Sequence, residues 1–334
     1  MAEKLSIGVI GAGSWGTALA AHLGEIGHDI TLWARSEDQS RAINETSQNA
    51  RYLPGYILPD RLTATNDLQR AVESKDLLLS VVPSHTKRAV WNEAKRYVNT
   101  STPILSASKG IENESLALMS TVLEETLPDN PLAFLAGPSF AKEVVQKLPT
   151  AVVIGSKSSK LNDTLQALFS NDYFRAYGTT DVIGIEVGGA LKNVIAIACG
   201  CADGIGFGQN TRAAILTRGL AEITRMAAKL GASPLTLAGL GGMGDLVLTC
   251  CGDLSRNRRV GLGLGKGQTL QEILDEMGQV AEGVNTARAA RDLAIREKVD
   301  MPISSEIFAI LYENKPAKQV VVDLMRRGLK DERN

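Results

Sequence analysis

The 334-residue chain has few of the residues that build disulfide scaffolds and metal centres, with four cysteines and three histidines. Cys199 and Cys201 are separated by one residue and Cys250 and Cys251 are adjacent, and neither gap is a zinc-ligand spacing. His22, His28 and His85 lie far from the cysteines in sequence, so no metal site is expected and the thiols should be reduced. A surplus of one charge sign is also missing: 36 Lys and Arg stand against 37 Asp and Glu, for a net charge of -1. That balance excludes nucleic acid as a bulk electrostatic partner, and the only tight basic cluster is residues 256–259, so the expected partner is a small molecule. Long hydrophobic runs are absent too. The longest, residues 194–202, lies between Lys192 and Asp203 and falls well short of the ~20 residues a helix needs to cross a bilayer, so no membrane span is expected. Met1-Ala2-Glu3-Lys4 leads directly into a strand-like stretch, without the basic region, apolar core and cleavage site of a secretory signal; a cytoplasmic location follows as an expectation. What remains is 44% hydrophobic and 22% charged residues, an ordinary globular composition on a chain long enough for two domains.

The most informative stretch present is Gly8-Val9-Ile10-Gly11-Ala12-Gly13-Ser14-Trp15-Gly16-Thr17-Ala18. It sets three glycines between an apolar, β-branched strand and an Ala- and Leu-rich helical segment. In that context Gly11 takes the tight turn, Gly13 lets the backbone approach a pyrophosphate, and Gly16 allows close helix packing, while the helix N-terminus offers free N–H groups. A dinucleotide cofactor is the expectation. The carboxylate that would hold a ribose 2′-hydroxyl roughly 20 residues past the glycines is missing. Ala34, Arg35 and Ser36 stand there instead, and a guanidinium suits a 2′-phosphate, so NADP(H) is favoured over NAD. The alternative, with Arg35 a solvated cation and Glu37 on the ribose, stays open.

Strand-like stretches at residues 4–10, 29–34, 77–82, 104–107, 132–136 and 151–154 alternate with helical patterns, which predicts an α/β fold with a doubly wound, Rossmann-type parallel sheet. After residue 181 strand signals fade. Helical periodicity then covers residues 186–201, 212–229, 270–276, 285–297, 304–312 and 317–326, so residues 1–185 read as a dinucleotide-binding domain and 186–334 as an all-α substrate and catalytic domain. The strand ends that should line the nucleotide crevice are Val82-Pro83-Ser84, Ser106-Ala107-Ser108-Lys109-Gly110 and Ala136-Gly137-Pro138-Ser139-Phe140-Ala141.

In the helical half, Lys192 follows Gly188, Gly189 and Ala190 and precedes an apolar continuation, so its amine cannot easily reach water and burial should lower its pKa toward the range useful for acid–base work. The bland alternative is a lysine on the exposed edge of an amphipathic helix; Lys109 invites a parallel argument, its bland alternative being a loop cation. Gly239-Leu240-Gly241-Gly242-Met243-Gly244-Asp245 suits close backbone approach with an aimed carboxylate, or a plain helix cap. Ser255-Arg256-Asn257-Arg258-Arg259 puts a cap residue, a guanidinium and an amide at a helix start, which fits a phosphate, or a solvated basic turn.

Taken together, Gly11-Ala12-Gly13-Ser14-Trp15-Gly16-Thr17-Ala18, Ser108-Lys109-Gly110, Leu135-Ala136-Gly137-Pro138-Ser139, Glu186-Val187-Gly188-Gly189-Ala190-Leu191-Lys192-Asn193, Gly241-Gly242-Met243-Gly244-Asp245-Leu246, Ser255-Arg256-Asn257 and Glu282-Gly283 make a chain that resembles the bacterial type of NAD(P)-dependent glycerol-3-phosphate dehydrogenase. The resemblance implies reversible oxidation of sn-glycerol 3-phosphate to dihydroxyacetone phosphate, run toward glycerol 3-phosphate for phospholipid synthesis, by a homodimer. It also implies Lys192 as the acid–base residue, Lys109 beside nicotinamide and substrate, Asp245 and Asn193 orienting the reacting centre, and Arg256 with Asn257 on the phosphate. Gly137, Ser139 and Ser255 match the family's substrate positions. Gly11, Gly13, Ser14, Trp15, Gly16, Arg35, Lys109, Gly137, Ala141, Arg256, Val280 and Glu282 match its cofactor positions. Cys250-Cys251 beside Thr249 is a local variation without an evident role. Two rivals share the glycine motif. A hydroxyacid dehydrogenase of the 6-phosphogluconate or 3-hydroxyisobutyrate type would use different substrate-domain segments, and a non-catalytic NADP(H)-sensing module would bind cofactor without turnover.

Overall fold

A computed structural model describes residues 4–278, 281–329 and 331–332. The first half is an eight-stranded sheet of β1 (Ser6–Ile10), β2 (Asp29–Trp33), β3 (Leu62–Thr65), β4 (Leu77–Ser80), β5 (Ile104–Ser106), β6 (Leu132–Ala136), β7 (Thr150–Gly155) and β8 (Phe174–Thr179), in the order β3-β2-β1-β4-β5-β6-β7-β8. The apolar residues of its central strands are covered on both faces: Ile7, Val9, Ile10, Leu78 and Leu79 are wholly buried. Between the strands run α1 (Ser14–Glu25), α2 (Glu37–Thr46), α3 (Leu68–Val72), α4 (Lys87–Ala94), α5 (Met119–Thr126), α6 (Ala141–Val145) and α7 (Ser159–Phe169). They bury one apolar layer on each sheet face. The switch point of this order lies between β1 and β4, where a crevice opens at the strands' carboxyl ends.

The sheet departs from the sequence reading in two respects. β6 and β7 pair antiparallel, so the sheet is mostly but not wholly parallel. β3 and β8, the two edge strands, were not expected. β3 is short and carries two threonines, and β8 exposes Arg175 and Tyr177, as edges facing water can.

The second half is helical: α8 (Val182–Ile205), α9 (Gln209–Lys229), α10 (Pro234–Leu237), α11 (Asp245–Cys251), α12 (Arg256–Gly265), α13 (Leu270–Met277), α14 (Glu282–Glu297), α15 (Pro302–Tyr312) and α16 (Ala317–Met325). Asp181 starts α8 by accepting the Gly184 N–H at 2.9 Å, and Gly206 ends it in the left-handed conformation at φ 94°. By length and composition this helix could cross a membrane, yet 94% of its apolar window is buried among the other helices, as befits the axis of a core. Small residues let α12 lie directly on it. A Cβ on Gly200 would stand 2.0 Å from the Arg258 carbonyl oxygen, and one on Gly261 would stand 2.0 Å from that of Ile197. This seam fixes the start of α12 relative to the middle of α8.

Candidate active site

The glycine turn leaves β1 at the switch point. Gly11 has φ 122°, and a Cβ there would meet the Val81 carbonyl oxygen at 2.7 Å; at Gly16 it would meet the Gly11 oxygen at 1.9 Å. Folding alone therefore requires both. Gly13 differs. Its φ of -77° suits any residue and a Cβ would meet nothing within 4 Å, so the space it leaves is open crevice in front of the α1 N-terminus. The Ala12 carbonyl is turned away from that crevice, accepting N–H bonds from Gln39 at 2.8 Å and Asn49 at 2.9 Å. The Ser14 hydroxyl also points inward, donating to the Tyr52 carbonyl at 2.7 Å. Trp15 keeps a buried indole N–H with no partner in the protein. A positive helix end, a reserved space and an orphaned donor suit a dinucleotide pyrophosphate. Arg35 is exposed just past β2, ahead of Ser36, which caps α2.

Across the crevice, three charged groups that are distant in sequence converge. Asp245 opens α11 after a π-turn at Leu240–Gly244, and its carboxylate is 1% exposed. Its Oδ1 receives the Lys192 Nζ at 2.6 Å and its Oδ2 the Lys109 Nζ at 2.7 Å. Lys192 also donates to the Thr249 hydroxyl at 2.8 Å, and Lys109 to the Gly137 carbonyl at 3.2 Å. Each ammonium has three N–H donors. Two are used in each case, and one remains for a ligand.

Burial lowers the Lys192 pKa to about 8, with Asp245 opposing that fall and Lys109 adding to it. Burial by itself would raise the Asp245 carboxyl, but Lys109 and Lys192 together hold it below the usual range. Thr249 was not among the expected site residues. Its signal was its position four residues after Asp245, which on a helix places both side chains on one face.

The α12 start completes the cleft. The Ser255 hydroxyl accepts the Arg258 N–H at 3.2 Å, and Arg256 is exposed in the first turn. Asn257 is buried and partly engaged: its Nδ2 donates one hydrogen to Asn193 Oδ1 at 2.9 Å and its Oδ1 accepts the Gly283 N–H at 2.9 Å, which leaves the second Nδ2 hydrogen. Glu282 begins α14 near Arg256. Burial pushes its pKa up, against the pull of Arg256 and the Ser84 N–H. Ser139 donates to the Gly137 carbonyl at 3.1 Å and Ala141 opens α6, which packs on α1, so both flank the crevice. Val280 lies outside the described residues. Of the four cysteines, Cys250 is buried close enough to Lys192 to affect its proton affinity, and Cys251 is exposed.

Two family models match the chain: the N-terminus of NAD-dependent glycerol-3-phosphate dehydrogenase over residues 6–162, and its C-terminus over residues 181–322. The glycerol-3-phosphate dehydrogenase (NAD(P)+) of Leptospira biflexa is 55% identical over 331 residues, covering 98% of this chain and 99% of that one. The enzyme of the same name from Citrifermentans bemidjiense is 51% identical over 335 residues, covering 99% of each. Among solved structures, glycerol-3-phosphate dehydrogenase from Coxiella burnetii superposes with a TM-score of 0.95 at 38% identity, over 97% of this chain and 99% of that one.

Proposed function

The chain belongs to the NAD-dependent glycerol-3-phosphate dehydrogenase family, and on that premise we propose how its own residues interconvert dihydroxyacetone phosphate and sn-glycerol 3-phosphate. The observation that carries the reading is the Asp245 carboxylate shared by Lys109 and Lys192. When bound, a nicotinamide cofactor supplies or removes the hydride at C2. In the reductive direction the free N–H of Lys192 hydrogen-bonds the C2 oxygen, stabilises the negative charge that builds there and then releases its proton to it. In the oxidative direction neutral Lys192 takes the hydroxyl proton. Asp245 fixes both ammonium groups, and Lys109 presents its remaining N–H to the same cleft.

Arg256, the α12 N–H groups and the second Nδ2 hydrogen of Asn257 receive the substrate phosphate, which carries about -1.5 to -2 charge at pH 7. Asn193 acts through Asn257, which it orients. Ser139, Gly137 and Ser255 shape the substrate pocket. Gly13, the α1 N–H groups and Trp15 hold the pyrophosphate, Arg35 takes a 2′-phosphate and thereby favours NADPH, and Ala141 and Glu282 line the nicotinamide side. We take residues 1–185 as the dinucleotide-binding domain and 186–334 as the substrate domain of a cytoplasmic homodimer that supplies glycerol 3-phosphate to phospholipid synthesis.

The test follows nicotinamide absorbance with dihydroxyacetone phosphate or unphosphorylated dihydroxyacetone, and with NADPH and NADH in parallel. Oxidation that needs the phosphate and is faster with NADPH is expected. Equal rates with and without the phosphate would remove the Arg256 assignment, and a preference for NADH would remove that of Arg35.

A further inference from the structure

Behind Lys109 lies a second set of buried ionisable groups for which the reaction has no direct use. Lys87 of α4 is fully buried and donates to the Ser106 hydroxyl, at the end of β5, at 2.6 Å. Glu186, in the second turn of α8, accepts the Ser120 N–H through Oε1 at 2.9 Å, while its buried Oε2 has no protein partner. Beside Ser106 and Glu186 is a small, partly open space of about 10 Å³, with Ser106, Ser108, Lys109 and Glu186 on its polar side and Phe134 and Ile185 on its apolar side. That is the smallest room that takes one water molecule.

We propose that Glu186 and Lys87 are positioning residues for Lys109, linked through the Ser106 hydroxyl and one water held in this space. The Lys87 ammonium donates to Ser106. The Ser106 hydroxyl is thereby left free to donate to the water, and the water donates to Glu186 Oε2. The chain of donors runs from cation to anion, gives the orphaned Glu186 Oε2 a partner, and ties the loop carrying Lys109 to the helix carrying Lys192. The Lys109 stem also passes over Gly189, one turn beyond Glu186, where a Cβ would sit 3.7 Å from its Cγ and Cδ. Burial acts on the two charges in opposite senses, drawing Lys87 down to about 7 and Glu186 up to about 7, with each opposing the other's shift. Glu282 also faces Lys87 and Glu124 also faces Glu186. Removing one member of the pair strands the other.

The inference rests on the role given to Lys109, and a set of variants separates the two. Glu186→Gln and Lys87→Met should each lower kcat at least tenfold, with the KM for NADPH within twofold of wild type. The double variant, neutral throughout, should recover to within threefold of wild-type kcat. In a Lys109→Ala background, Glu186→Gln should add less than a twofold loss. Independent, multiplying losses in the double variant overturn the proposal, as does a further tenfold loss in the Lys109→Ala background. A Lys109→Ala variant with wild-type kcat would instead sink the role of Lys109 itself. A crystal structure of the wild-type protein should show one water within hydrogen-bond distance of both Glu186 Oε2 and Ser106 Oγ; its absence at high resolution would overturn the proposal whatever the kinetics.

Discussion

Replacing Gly13 with alanine separates folding from cofactor binding more cleanly than any other change in the glycine turn. The backbone at Gly13 is in an extended conformation open to alanine, and the added methyl meets no protein atom within 4 Å. The folding penalty is confined to the poorer helix-start preference of alanine, about 0.5–1 kcal/mol, or a shift of a few degrees in Tm. In the proposed binding mode the same methyl stands where the pyrophosphate approaches the α1 N–H groups. Losing one charge-assisted hydrogen bond there removes about 1.5–3 kcal/mol, which weakens NADPH binding by about tenfold to a hundredfold. Gly16→Ala should behave in the opposite way, because its Cβ would lie 1.9 Å from the Gly11 oxygen and the turn must distort to admit it. Thermal melting and NADPH titration by nicotinamide fluorescence measure both quantities. A Gly13→Ala protein that binds NADPH as tightly as wild type would refute the placement of the pyrophosphate.

Two further outcomes follow from the site and its support. In the proposed role of Lys192, reduction needs its ammonium form and oxidation its free amine, so kcat/KM for dihydroxyacetone phosphate should fall as pH rises through about 8, while that for glycerol 3-phosphate should rise over the same interval; two profiles of the same sign would exclude Lys192 as the titrating group. Gly261→Ala requires α12 to retreat by about 1.4 Å from α8 to restore a 3.4 Å contact, and it carries the α12 phosphate site with it. A displacement of that size should cut kcat/KM for the phosphorylated substrate by about a hundredfold, with Gly328→Ala, which meets nothing, as the neutral control. An unchanged KM in a folded Gly261→Ala protein would argue against α12 as the phosphate anchor.

Most of what the sequence made legible was local. The glycine turn, the strand Leu132–Ala136, and the helices over Gln209–Lys229, Leu270–Met277 and Pro302–Tyr312 carry strong periodicity or punctuation within a short window, and their predicted bounds fall within three residues of the structure. The depressed proton affinity of Lys192 was readable for the same reason, since its neighbours on α8 are small and apolar. β8 was hidden although Phe174 and Ala176 alternate with exposed Arg175 and Tyr177, because an edge strand buries only one face. The antiparallel turn at β7 leaves no trace in composition. Contacts across the chain were illegible in principle: Lys109 and Asp245 are 136 residues apart, and only the packing of α8 against β6 and of the π-turn against α8 brings them to 2.7 Å. The same applies to Asn257, whose partners Asn193 and Gly283 lie 64 and 26 residues away in sequence.

Amine rescue of Lys192→Ala tests most directly the proposed exchange of a proton between Lys192 and the C2 oxygen. With saturating NADPH and dihydroxyacetone phosphate, the variant should lose about 10²- to 10⁴-fold in turnover while still binding the cofactor. Added methylammonium or ethylammonium should restore part of the rate by entering the space the side chain leaves beside Asp245 and Thr249. A variant that retains wild-type turnover, or one that is inactive, folded and indifferent to added amine, would contradict the assignment.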